Sequence, residues 1–231
     1  MTIVLFDIDG TLITTGGVGR RAIELAFEDL YGDRTACSHF SFDGMTDRAI
    51  MREGLTRLGR EVTGEEVDRL ITAYVRHLED AIAAAPADSY RVHDGMHDAI
   101  AACEKAGFAV GLGTGNIKEG ARLKLARVNL YDRFAFGGFG DDHEQRDLLL
   151  AAGVKRGAAR LGVEPGAVPV VVIGDSPRDV AAAKAIGAAC IGVGTGSSSA
   201  QKLLELGATA AFDSLAAPGA LEALLDVSHR R

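Results

Sequence analysis

Two short clusters of carboxylates, far apart in the chain, have the residue types and spacing for chemistry. Asp7 and Asp9 stand one residue apart in Phe6-Asp7-Ile8-Asp9-Gly10-Thr11, directly after the apolar run at 2–6. Asp175 and Asp179 follow the apolar run at 168–173, in Gly174-Asp175-Ser176-Pro177-Arg178-Asp179. A lone acid at a strand end most often caps the next helix. Taken together the clusters say more, because the carboxyl ends of parallel strands share one edge of the sheet, where ligands bind. Four acids meeting there repel one another unless a divalent cation neutralises them, and an all-oxygen donor set suits Mg²⁺. Gly10 lets the backbone approach a ligand closely.

The elements that must position these groups follow from the apolar pattern. Runs at 2–6, 108–112, 134–136, 168–173 and 189–193 are each followed by a Gly-, Asn-, Asp- or Ser-bearing loop and then, from about residue 90, a helical pattern. Alternation of this kind predicts an α/β fold with a Rossmann-like parallel sheet, and unbroken apolar strands are what burial on both faces requires. Two more loops, Leu112-Gly113-Thr114-Gly115-Asn116 and Gly140-Asp141-Asp142-His143-Glu144-Gln145-Arg146, are expected at the same edge. Residues 16–85 break the pattern, with helical periodicity at 20–30, 46–58 and 65–84. In the third stretch Val67, Leu70, Ile71, Tyr74, Val75 and Leu78 recur at spacings of three and four. The expected organisation is a core of 1–15 and 86–231 with a helical insert at 16–85, Pro86 and Ala87-Asp88-Ser89 marking the return.

Composition narrows the function. A chain of 231 residues, 47% hydrophobic and 25% charged, can bury one large core, or one core with a smaller module. Its net charge of -7 argues against nucleic acid or an anionic membrane as main partner, since both want a basic face. Cys37, Cys103 and Cys190 are scattered, which fits reduced thiols in a cytoplasmic protein. No stretch of about 20 apolar residues predicts a membrane span, and the first residues lack the basic-then-apolar pattern of a signal peptide. Monomer and homodimer are both compatible with the sequence. The glycine loops at 112–115 and 192–196 complete no nucleotide-binding pattern. His93, His97 and His143 make no metal spacing with the cysteines.

Asp7-Ile8-Asp9-Gly10-Thr11-Leu12, Thr114 after a strand, and Gly174-Asp175-Ser176-Pro177-Arg178-Asp179 occur in the order seen in haloacid dehalogenase superfamily hydrolases. The chain resembles their phosphoglycolate-phosphatase-like members, which carry a helical cap where residues 16–85 fall. The resemblance implies a small phosphomonoester as substrate and an aspartyl-phosphate intermediate. Asp7 would be the nucleophile and Asp9 the general acid and base. It also implies Mg²⁺ held by the Asp7 side chain, the Asp9 carbonyl and Asp175, with Asp179 bound through water or orienting a cation. Thr114 and the Gly115 amide would hold phosphoryl oxygens, with Asn116 adjacent.

An anion attacking an anion needs a further cation. The family's usual Lys-Pro is missing from the interval before the last motif. Arg146, just ahead of the helical pattern at 147–161, is preferred for its planar fork. Lys124 is the alternative, although a position inside a helix suits a solvated charge. In the insert, Gly16-Gly17-Val18-Gly19-Arg20-Arg21 and Phe42-Asp43-Gly44-Met45-Thr46-Asp47-Arg48 are the segments expected to face the site. Arg20 or Arg21 would pair with a substrate carboxylate, and Thr46 reads as a helix cap. A dehalogenase would lack Asp9, and a sugar phosphomutase usually has Asp-Gly-Val where this chain has Asp9-Gly10-Thr11. A non-catalytic binding protein would have no use for both Asp7 and Asp9.

Overall fold

The computed structural model describes residues 1–227. The first strand, β1 (Ile3–Phe6), is wholly buried. A short antiparallel pair follows, β2 (Ile13–Thr14) with β3 (Arg91–Val92). Between those two strands run the helices α1 (Val18–Tyr31), α2 (Asp47–Arg57) and α3 (Gly64–Ala84). The chain then alternates: α4 (Met96–Lys105), β4 (Ala109–Gly113), α5 (Lys118–Ala126), β5 (Gly137–Gly138), α6 (Arg146–Leu161) and β6 (Val170–Gly174). It ends with α7 (Pro177–Ala185), β7 (Ala189–Val193), α8 (Ala200–Glu205), β8 (Ala210–Phe212) and α9 (Ala220–Val227).

Six of the strands form one sheet in the order β5-β4-β1-β6-β7-β8, with every pairing parallel. Side chains alternate across a strand, so β1 feeds two cores. Val4 and Phe6 join one that also holds Ile100 of α4 and Leu224 of α9, and that continues into Phe27, Leu55 and Leu70 of α1–α3. Ile3 and Leu5 join the other, with Leu149 and Leu150 of α6 and Val180 and Ala183 of α7. The periodic stripe of α3 is its buried face: Val67, Leu70, Tyr74 and Leu78 are fully enclosed.

One expected strand is displaced. Residues 134–136 are irregular, and β5 lies just after them at two glycines. Phe134 is used as a core plug, its ring edge-on to Phe6 with centroids 5.9 Å apart. The strand pairs at Gly137 and Gly138, and α6 presses on it so closely that a Cβ on Gly138 would overlap the Leu149 carbonyl. The short β2, β3 and β8 were not anticipated at all. Among the described residues no helix is long and apolar enough to cross a membrane.

Candidate active site

β4, β1 and β6 are neighbours in the sheet, so the loops that leave their carboxyl ends meet. Asp7, Asp175 and Asp179 are all buried there, with one carboxylate oxygen of each within 4.8 Å of the others. Local chemistry holds each in place. Ser176 caps α7 and forms a capping box with Asp179, whose Oδ2 accepts the Ser176 N–H at 3.1 Å and hydroxyl at 2.6 Å. The box fixes Asp179 while leaving its other oxygen free to face Arg146. Asp175 accepts the Thr11 hydroxyl at 2.9 Å and the Ser197 N–H at 3.4 Å. Gly10 has φ +78°, and a Cβ on it would lie 2.6 Å from the Asp175 carboxylate. Its close approach is therefore to a partner side chain. The glycine loop after β7 has the same use: Gly196 packs against Asp175, and the Thr195 hydroxyl donates to the Gly10 carbonyl at 2.6 Å.

Arg146 opens α6 and is buried beside two of these acids. Its Nη2 lies 2.9 Å from Asp7 Oδ2 and 2.6 Å from Asp179 Oδ1, and its Nε donates to Asp179 Oδ1 at 2.7 Å. One guanidinium does not balance three buried carboxylates. Burial pushes the Asp7 carboxyl up, against the pull of Arg146. Burial pushes Asp175 up as well, reinforced by the charges of Asp179 and Asp7. Such a cluster of hard oxygen donors with surplus negative charge fits a divalent cation.

Lys124 was set below Arg146 as the cationic partner, and the structure brings both into the site at different carboxylates. Lys124 is buried, and its ammonium donates to Asp9 Oδ2 at 2.7 Å and to Asn116 Oδ1 at 2.6 Å. Burial opposes its charge, but Asp9 and Asp47 outweigh that and hold its pKa above the usual value. Asn116 Nδ2 donates to Asp9 Oδ2 at 2.8 Å and to Thr114 Oγ1 at 2.9 Å. Thr114 is fully buried and sits behind Asn116. The Gly115 carbonyl accepts the Asp47 N–H at 2.9 Å, and Met45 packs so tightly over Gly115 that no side chain would fit.

These groups open on a pocket of about 310 Å³ lined by Asp7, Asp9, Lys124 and Arg146 from the sheet side. Arg20, Phe42 and Tyr74 are among the residues that close it from the side of α1–α3. Arg20 faces the pocket, with its guanidinium 3.8 Å over the Phe42 ring and hydrogen bonds to the Cys37 and Phe40 carbonyls. Arg21 turns back to the Gly16 carbonyl. Thr46 is a helix cap, accepting the Ala49 N–H at 3.2 Å. Asp47, in the segment expected to face the site but given no role of its own, is buried there: its Oδ2 accepts the Ile117 N–H at 2.8 Å, and burial raises its pKa to about 6. The sign available for Lys124 was its place on the apolar face of α5, between Ala121 and Leu125. For Asp47, first in its helix after a Thr cap, no such local sign exists.

A parallel sheet covered on both faces, with a charged pocket at its carboxyl edge, is the architecture of an α/β enzyme. The chain belongs to the haloacid dehalogenase-like hydrolase family, whose model matches residues 1–187. It is 30% identical over 222 residues to a phosphoglycolate phosphatase of Rhodospirillum rubrum, covering 94% of this chain and 88% of the relative. A phosphoglycolate phosphatase of Mesorhizobium japonicum is 28% identical over 210 residues, covering 84% of this chain and 83% of the relative. Among solved structures, a hydrolase from Pseudomonas syringae superposes with a TM-score of 0.68 at 20% identity, covering 99% of each chain.

Proposed function

We propose that this chain is a Mg²⁺-dependent phosphomonoester hydrolase with Asp7 as its nucleophile and a small phosphoglycolate-like substrate. The observation that carries this reading is the pairing of two different carboxylates with two different cations across one pocket. Asp7 lies against Arg146, and Asp9, two residues on, lies against Lys124. A phosphoryl transfer needs such a division of labour. Asp7 attacks phosphorus in line, and Arg146 keeps its carboxylate aimed. Asp9 gives its proton to the departing ester oxygen and later takes one from the attacking water, which releases phosphate and restores Asp7. Asn116 and the Gly115 backbone are the groups assigned to the phosphoryl oxygens; Thr114, expected to share that role, is fully buried and holds Asn116 from behind.

The Asp7 and Asp175 side chains and the Asp9 carbonyl would hold Mg²⁺, with Asp179 behind them. The bound ion supplies charge neutralisation between the nucleophile and the phosphate. Residues 16–85 act as the cap over a core of 1–15 and 86–231, and exclude water from the pocket. Arg20 is the group offered to a substrate carboxylate, held at the pocket wall by the Cys37 and Phe40 carbonyls. Both named relatives are phosphoglycolate phosphatases, which favours that substrate. Buried, unpaired Cys37, Cys103 and Cys190 suit a reducing, cytoplasmic setting.

The test is phosphate release from a panel of phosphomonoesters, phosphoglycolate included, with Mg²⁺ and with EDTA. Hydrolysis that needs Mg²⁺ and falls about a thousandfold or more in Asp7→Asn is expected. Failure to release phosphate from any ester in the panel sinks the reading.

A further inference from the structure

We propose that Asp47 is a positioning residue for the acid–base carboxylate Asp9, acting through Asn116 and Lys124, so that the centre is complete only when the cap is seated. This deepens the phosphomonoesterase reading and rests on it. The geometry is a bracket. Asp47 is the first residue of α2, on the cap. Its backbone N–H donates to the carbonyl of Gly115, and its side chain accepts the N–H of Ile117. Asn116 lies between those two anchor points, pinned on both sides by one cap residue. Asn116 and Lys124 hold each other at 2.6 Å, and both hold Asp9 Oδ2, at 2.8 and 2.7 Å.

The cap also encloses Lys124. A Cβ on Gly19 of α1 would lie 3.2 Å from its ammonium, so this turn of α1 approaches it at van der Waals range. The Asp47 carboxylate and the buried Tyr74 hydroxyl of α3 both come within 4 Å of a Cβ built on Gly120, one turn before Lys124. The ammonium thus lies against α1 and answers to the charges of Asp9 and of Asp47 on α2. A buried polar chain of this kind is rigid only while every member is satisfied. Lifting the cap removes both anchors beside Asn116 and the counter-charge that Asp47 gives Lys124. Asp9, whose side chain is 43% exposed, then loses its fixed aim at the leaving oxygen.

The decisive measurement compares two substrates on the full chain with Mg²⁺. An alkyl phosphate needs its leaving oxygen protonated, whereas p-nitrophenyl phosphate releases a stable anion without that help. Asp47→Asn keeps an acceptor for Ile117 but removes the charge, and Asp47→Ala removes both. For each, the single-turnover rate of leaving-group release, which reports the transfer to Asp7 and not the later hydrolysis common to both esters, is expected to fall on the alkyl ester about tenfold or more beyond any fall on the nitrophenyl ester, with KM within about twofold. Should Asp47→Ala fail to fold, Asp47→Asn decides alone, its thermal melt serving as the control. Equal losses on both esters mean a structural role only and overturn the proposal, as does no loss on either. A change confined to KM also overturns it, since that places Asp47 on the substrate. If the unsubstituted protein hydrolyses neither ester, the phosphomonoesterase reading falls and takes this proposal with it.

Discussion

Arg146 sets Nη2 between Asp7 and Asp179 and adds a bond from Nε to Asp179, a planar arrangement that no other basic side chain can make. Lysine would put a single ammonium between the two acids and hold neither direction. Arg146→Lys is therefore expected to fold, with its melting temperature within a few degrees of the parent, and to lose roughly tenfold or more in kcat. Arg146→Ala leaves buried carboxylates without their counter-ion, a change that costs roughly 3–5 kcal/mol where such a pair is broken. Thermal unfolding beside steady-state kinetics separates the two effects. If the lysine variant kept full activity, the planar guanidinium would have no catalytic weight. At this scale the carboxylates were legible in the sequence, because Asp7, Asp9, Asp175 and Asp179 directly follow apolar runs. The roles of the two cations were not. Arg146 and Lys124 each belong to a carboxylate more than 100 residues away, and local pattern does not carry that pairing.

Elements were readable where burial leaves an apolar signature. β1, β4, β6 and β7 are runs of buried residues, and α3 shows its buried stripe at helical spacing. β5 has no such signature because α6 packs directly on its backbone, and the space that a side chain would need is already filled. β8 is short and only half-buried. The glycine loop after β7 looked like a failed nucleotide motif, yet its work is to let Gly196 pass flush against Asp175. The β5–α6 contact gives a prediction. Gly138→Ala has to push the Leu149 backbone away, and overpacking of this kind costs typically 1–3 kcal/mol. For a chain of this size that lowers the melting temperature by roughly 2–4 °C per kcal/mol. Calorimetry finding no loss would mean that α6 shifts freely, contrary to a tightly packed interface.

For the whole molecule, the charged centre couples stability to pH and to cations. Asp47 has a folded-state pKa of about 6 against an ordinary 3.8, and Asp7 and Asp175 shift in the same direction. The folded state thus binds more protons than the unfolded chain between those values. The associated stability is full below the unfolded value and is lost as pH rises through the folded one. Exposed acids such as Asp29 beside His77 and Asp142 beside Arg156 shift downward, and their contribution disappears only in more acid solution. Without added divalent cation, the melting temperature should therefore fall between about pH 5 and about pH 8. Mg²⁺ at a hundred times its dissociation constant adds about 2.7 kcal/mol if it binds only the folded state. Its effect should be larger at about pH 8, where protons no longer compete for the carboxylates. A melt indifferent to Mg²⁺ at the higher pH would remove the cluster as a cation site.

The place of β1 in the sheet has a consequence for how the chain is made. β1 precedes in the chain both of the strands that flank it, β4 and β6. One flank waits for residue 109 and the other for residue 170. Until then a fully apolar strand has an unpaired edge, the kind of surface on which chains aggregate, and its partners are distant contacts that form slowly. Asp175 follows directly after β6, so the strand that covers the second edge of β1 also brings Asp175 to the acidic cluster. A chain cut short before β6 has an exposed edge and lacks Asp175 altogether. The second edge of β1 is covered at the same stage of synthesis at which Asp175 becomes available.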